Sequence, residues 1–235
     1  MREIVFDTET TGLKPEDGER VIEIGAVELE NRFPTGRSFH VYINPQGREV
    51  HPEALRVHGI TNQFLDDKPT FPEIVEDFLQ FIGDGALVAH NASFDMNFIN
   101  SEFARIGLSA FPAERVIDTL VLARRKHPMG PNSLDALCSR YNVDNAHRTR
   151  HGALLDSELL AEVYIEMNGG RQATLLLDAE QRQAGERSTE TTMNFERQNR
   201  EKALPSRLGE ADISLHRSFI ASLGDKAIWK EWLPE

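Results

Sequence analysis

Apolar and polar positions follow a two-residue rhythm in the first fifth of the chain and a helical rhythm after it. The two-residue pattern predicts strands over Arg2 to Phe6, Val21 to Leu29 and Ser38 to Ile43, with a turn across Gly12 to Gly18. Val21 to Leu29 is almost continuously apolar, which predicts a central strand. Beyond Pro72, the residues Ile74, Val75, Phe78, Leu79 and Ile82 recur at helical spacing. Ala86 to Ala89 reads as a short buried strand ending at His90. A helix is expected from an N-cap at Ser93, turning Phe94, Phe98, Ile99 and Phe103 inward. Val116 to Ile117 adds a short strand, and Asn132 or Ser133 opens a helix to about Tyr141. The last strong helix spans about Ala153 to Met167, with Leu155, Leu159, Leu160 and Val163 on one face, and Gly169-Gly170 stops it. Strands that give way to alternating strands and helices predict an α/β domain around a mixed sheet, residues 1–170.

After Gly170 the pattern dissolves. Residues 178–210 are rich in Glu, Gln, Arg, Ser and Thr, the composition of a flexible linker. Apolar residues return in 211–235, including Leu215, Phe219, Ile220, Leu223, Trp229 and Trp232. That segment is too short to build a core alone and is expected to bind a partner.

Composition narrows the function. Of 235 residues, 40% are hydrophobic and 27% charged, enough for a packed core. A formal net charge of −12 argues against coating nucleic acid by bulk positive charge, yet leaves room for an enzyme that admits one strand end. The single cysteine, Cys138, cannot form an internal disulfide, which fits a reducing cytoplasm, and its apolar helical setting makes it a core filler. The beginning MREIVFDTET has no signal-peptide character, and no run approaches the roughly 20 apolar residues that span a membrane. A soluble, cytoplasmic protein with no membrane contact is expected.

Three short clusters carry candidate chemistry. Asp7 and Glu9, two apart on the first strand, point to one face at the end of a buried segment. Asp95, in His90-Asn91-Ala92-Ser93-Phe94-Asp95, falls in a first helical turn just after a strand. His151-Gly152-Ala153-Leu154-Leu155-Asp156 places a histidine five residues before another aspartate. Each alone has a plain structural explanation: a solvated strand end, a helix-dipole partner, a surface histidine. Together, four carboxylates from three segments, without a zinc-type Cys or His set, suit Mg²⁺ or Mn²⁺. Two such ions about 4 Å apart can clamp the attacking and leaving oxygens of a phosphodiester, with a neutral histidine taking the proton of the attacking water.

FDTETTG, HNASFD and HGALLD match, in order and spacing, the three motifs of the DEDDh exonuclease superfamily. The similarity continues through VIEIGAVEL, PEALRVHGIT and NSLDALCSRY over about residues 1–170. It looks closest to the epsilon family, the proofreading subunits of bacterial DNA polymerase III. The resemblance implies an RNase H-like fold, a 3′→5′ exonuclease, metal ligands Asp7, Glu9, Asp95 and Asp156, and His151 as general base. Thr10, Gly12, Leu13, Glu53 and His58 would contact the terminal nucleotide beside Asp7, Glu9 and Asp156, and His90 could join them. Gln172, Leu175 and Leu177, in 171–177, resemble a sliding-clamp docking peptide. Implied partners are DNA 3′ ends, the polymerase catalytic (alpha) subunit, the sliding clamp (beta) and a small theta-like subunit. A stand-alone exoribonuclease and a non-catalytic adaptor between polymerase and clamp remain alternatives; the long tail speaks against the first and the complete acidic set against the second.

Overall fold

The computed structural model describes residues 1–146, 148, 150–170 and 209–223. The chain divides into two units, Met1–Ala179 and Glu180–Glu235.

The first unit is built on a five-stranded sheet in the order β3-β2-β1-β4-β5. Strands β1 (Arg2–Thr10), β2 (Val21–Glu30) and β3 (Phe33–Tyr42) form an antiparallel meander. Strands β4 (Ala86–Ala89) and β5 (Val116–Asp118) add to it in parallel with β1. The helices are α1 (Pro52–His58), α2 (Asn62–Leu65), α3 (Phe71–Ile82), α4 (Ala92–Arg105), α5 (Thr119–Lys126), α6 (Leu134–Tyr141) and α7 (Ala153–Met167). The expected mixed α/β sheet is present, and β2 lies between β3 and β1 as its apolarity requires.

Alternation along β1 sorts the core into two layers. Ile4 and Phe6 pack with Phe71, Phe78, Phe98 and Ile99 of α3 and α4. Val5 packs on the opposite face with Leu137, Leu160 and Val163 of α6 and α7. Glu3, on that second face, is buried and accepts a hydrogen bond from the Tyr164 hydroxyl of α7 at 2.7 Å. The same period carries Asp7 and Glu9 to the α7 side and Thr8 to the α4 side. Cys138 is buried in the α6–α7 layer, as expected.

Several local expectations shift. Helix α4 starts two residues earlier than a Ser93 cap would allow: its N-cap is Asn91, held in the left-handed region at φ 63° and ψ 48°. Asparagine tolerates that conformation and so makes the tight turn out of β4. β3 begins at Phe33 instead of Ser38, because ladder pairing to β2 extends through exposed residues that carry no apolar signal. Leu79 is exposed on α3, and Phe81 takes the buried position. Helices α1 and α5 lack a broad apolar stripe and were not expected.

In the second unit, α8 (Glu210–Ser222) carries the apolar spacing read at Leu215, Phe219 and Ile220. The clamp-like peptide 171–177, the linker up to residue 208, and Trp229 and Trp232 lie outside the described residues. Among the described residues, no helix is long and apolar enough to cross a membrane.

Candidate active site

The C-terminal ends of the parallel strands β1 and β4 open side by side, the usual place for a site in an α/β sheet. Asp7 and Glu9 come from β1, Asp95 from the first turn of α4 directly after β4, and Asp156 from the first turn of α7. All four, with His90 and His151, line one open cleft of about 270 Å³. Carboxylates from both layers of the fold therefore meet at one mouth.

Local structure fixes each one. Asp95 is 2% exposed, and its Oδ1 accepts from the Thr8 N–H at 3.1 Å and the Thr8 hydroxyl at 2.7 Å. Thr8, the residue between the two β1 acids, thus ties the α4 acid to the strand. Gly25 of β2 pairs with Asp7 across the ladder. A Cβ on Gly25 would lie 2.1 Å from the Leu154 nitrogen, so only glycine lets α7 settle on the sheet there. The Ser157 hydroxyl donates to the Gly25 carbonyl at 2.8 Å, which pins the first turn of α7, with Asp156, over Asp7.

The electrostatics record a shortage of positive charge. Burial first, then Asp95, Glu9 and Asp156, hold the Asp7 carboxyl well above the usual range. Burial, then Glu23, Asp156 and Asp95, push Glu9 up to about 8. Burial pushes Asp95 up to about 7 against the lowering effect of its Thr8 hydrogen bonds. Asp156 behaves differently: burial would raise it, but hydrogen bonds from His151 and Arg148 and the Arg148 charge outweigh that and hold it low. Arg148 Nε and Nη2 clasp Asp156 Oδ1 and Oδ2 at 2.5 and 2.7 Å. Arg148 Nη1 also reaches Asp135 Oδ1 at 2.7 Å.

The donor set fits a hard divalent cation. Glu9, His151 and Asp156 each offer a ligand atom, all within 4.8 Å of one another. Asp7 and Asp95 lie outside that tight group but line the same cleft. Clustered carboxylates of raised pKa supplied mainly through oxygen call for Mg²⁺-like charge.

A second, larger cleft of about 600 Å³ adjoins the first, sharing Thr8, Glu9 and Phe94 with it. Thr10, Gly12, Leu13, Glu53 and His58 all line it. Leu13 is 76% exposed and Val57 46%, so this cleft carries accessible apolar surface. His58 is buried; its Nδ1 accepts from the Ile60 N–H at 3.0 Å, while its Nε2 lacks a hydrogen-bond partner among the described residues. Burial lowers its pKa. His90 Nδ1 lies 3.0 Å from the Thr119 hydroxyl, and burial lowers its pKa too. The sequence reading missed Thr8, Phe94, Asp135 and Arg148 in these clefts. Phe94 was read as core, whereas it is half-buried on the shared wall.

The exonuclease family model matches residues 4–164, the stretch that builds both clefts. The DNA polymerase III subunit epsilon of Rickettsia felis is 43% identical over 226 residues, covering 95% of this chain and 97% of that protein. The chain belongs to the epsilon-subunit family of bacterial DNA polymerase III. Its activity is that of the epsilon family, a 3′→5′ exonuclease that proofreads DNA synthesis. The epsilon subunit of Escherichia coli (strain K12) is 50% identical over 177 residues, 72% of each chain. Among solved structures, Exonuclease X in complex with 5′ overhanging duplex DNA superposes with a TM-score of 0.53 at 28% identity, covering 70% of this chain and 90% of that one. The nuclease domain of 3′hExo, a DEDDh family member, bound to rAMP, gives a TM-score of 0.62 at 20% identity over 71% and 90% of the chains, a likeness of fold. Exonucleases of the DEDDh group depend on divalent metal, in keeping with the carboxylate cleft.

Proposed function

We propose that Asp7, Glu9, Asp95 and Asp156 hold two Mg²⁺ or Mn²⁺ ions and that His151 is the general base of a two-metal proofreading exonuclease. The observation that carries this reading is the convergence of the four carboxylates and His151, drawn from three separate segments, on one cleft. When bound, the ions supply the positive charge that offsets the carboxylates and stabilises the phosphodiester transition state. His151, half exposed at the rim, takes the proton of the attacking water at Nε2, because its Nδ1 faces Asp156 Oδ2 at 3.1 Å. A nucleoside 5′-monophosphate leaves.

The larger cleft takes the terminal nucleotide. Leu13 and Phe94 offer apolar faces to the base, Thr10, Gly12 and His58 line the floor, and Glu53 stands at the rim. His90 borders the carboxylate cleft on the other side.

The domain boundary near 170, the clamp-docking role of Gln172, Leu175 and Leu177, the linker 178–210 and the polymerase-binding role of 211–235 belong to the same reading. The relatives' names support assembly with DNA polymerase III. The alpha subunit, the beta clamp and a theta-like subunit are the proposed contacts, in the cytoplasm. An acidic protein of net charge −12 suits that division of labour, since the polymerase holds the duplex and this chain receives the frayed end.

The test pairs excision with capture. The full chain should shorten a mismatched primer faster than a matched one with Mg²⁺ or Mn²⁺, and should co-purify with the alpha subunit. Removal of residues 178–235 should end co-purification and leave excision of single-stranded DNA intact. Equal rates at matched and mismatched ends with faster cutting of short RNA would instead favour a stand-alone exoribonuclease.

A further inference from the structure

Arg148 occupies a position that the catalytic scheme does not use. Its side chain is only 7% exposed, and its Nε and Nη2 clasp both oxygens of Asp156, the bidentate fork that carboxylates bind best. Nη2 also lies 2.7 Å from His151 Nδ1. That nitrogen stands 3.1 Å from Asp156 Oδ2 as well, and Nη2 lies 3.5 Å from His151 Nε2, so the guanidinium packs against the ring while Nδ1 faces Asp156. Arg148 has a second anchor, Asp135 Oδ1 at 2.7 Å, on a carboxylate that is 59% exposed at the start of α6.

We propose that Arg148 is the resident cation of the metal-free site, holding Asp156 and His151 at rest, and that a divalent ion loads by displacing its guanidinium from Asp156 onto Asp135. Arg148 is a positioning residue in this account. The exchange replaces one buried positive charge with another, so Asp156 is never left bare, which would be the costly state. It also withdraws the guanidinium from the His151 ring, so loading of the site and clearing of the base are one event.

This inference rests on reading the carboxylate cleft as a divalent-metal site. Its test is calorimetric titration of Mn²⁺ into the full chain, wild type and Arg148→Gln, at one pH. Removal of the competing cation should tighten Mn²⁺ binding by about tenfold, the scale of changes made just outside a metal's ligands. Unchanged or weaker binding by Arg148→Gln would overturn the inference while leaving the metal site standing. No Mn²⁺ binding by the wild type would overturn both. A second measurement needs no variant: ¹⁵N spectra of the wild-type Arg side chains during Mg²⁺ addition. The Arg148 Nε signal should shift as its carboxylate partner leaves. Binding of Mg²⁺ with that signal unmoved would contradict the displacement.

Discussion

Gly25 stands directly across the β1–β2 ladder from Asp7, and the backbone of Leu154 fills the space its side chain would need, with the Leu154 nitrogen 2.1 Å from a built Cβ. The absence of a side chain on β2 therefore sets the height of α7 above the sheet, and with it the distance between Asp7 and Asp156. Gly25→Ala should push the start of α7 outward. A 1 Å misplacement can cost about 100-fold in rate, so kcat should fall by about that factor while the fold survives. Excision kinetics beside circular dichroism check this; a fully active Gly25→Ala would show that α7 tolerates the shift.

Asp7 and Asp156 should part ways when mutated, although both ligate metal in the same account. Asp7 sits among like charges with its carboxyl held high, so Asp7→Asn relieves repulsion and should raise Tm in EDTA while abolishing excision. Asp156 balances the buried Arg148. Asp156→Ala removes the bidentate partner and leaves the guanidinium only the exposed Asp135, which should lower Tm by a few degrees. Thermal melts of the two metal-free variants decide it, and equal shifts of the same sign would contradict the electrostatic picture.

The pH dependence of the metal-free fold has a definite sign. Glu9 titrates at about 8 and Asp95 at about 7 in the folded chain, both above their unfolded values. The folded state then holds more protons than the unfolded state between about pH 4 and 8, so raising the pH through that window lowers stability. The buried His58 and His90, with lowered pKa, act the other way, since their neutral forms favour folding as pH rises to the unfolded histidine value. Those histidines act alike with and without metal, so the gain in Tm from Mg²⁺ over EDTA isolates the carboxylates. That gain should grow from pH 5 to pH 8; a constant gain would remove the raised carboxylates from the account.

His151→Ala should lower kcat by about 10²–10⁴-fold at neutral pH, the usual weight of a positioned general base, with a smaller deficit at high pH where hydroxide competes. Single-turnover excision rates across pH measure this. Full activity of the variant at neutral pH would transfer the proton to another group.

The site was legible where chemistry follows local period. Asp7 and Glu9 share a face because strand side chains alternate, and Asp95 and Asp156 open helices whose apolar rows, Phe98 and Ile99 or Leu159 and Leu160, are plain in the chain. The ends of β4 and α7 were legible as well, β4 stopping at His90 and α7 at the glycines after Asn168. Helix α5 was not legible, since its start depends on the Asp118 side chain accepting from Leu120 N–H and its last turn is Arg124, Arg125 and Lys126. Arg148 was invisible for a different reason: only tertiary structure brings it onto Asp156 and Asp135 at once. The meaning of Gly25 likewise lay in a helix that begins 128 residues later.

Removal of nucleotides from 3′ ends at the carboxylate cleft is followed on a 5′-labelled primer carrying a matched or mismatched terminus. With Mg²⁺ the wild type should shorten the labelled strand stepwise, faster at the mismatch, because an unpaired terminus costs less to fray. EDTA or Asp7→Asn should stop the reaction. A label that stays full length with Mg²⁺, or that shortens equally in Asp7→Asn, would contradict it.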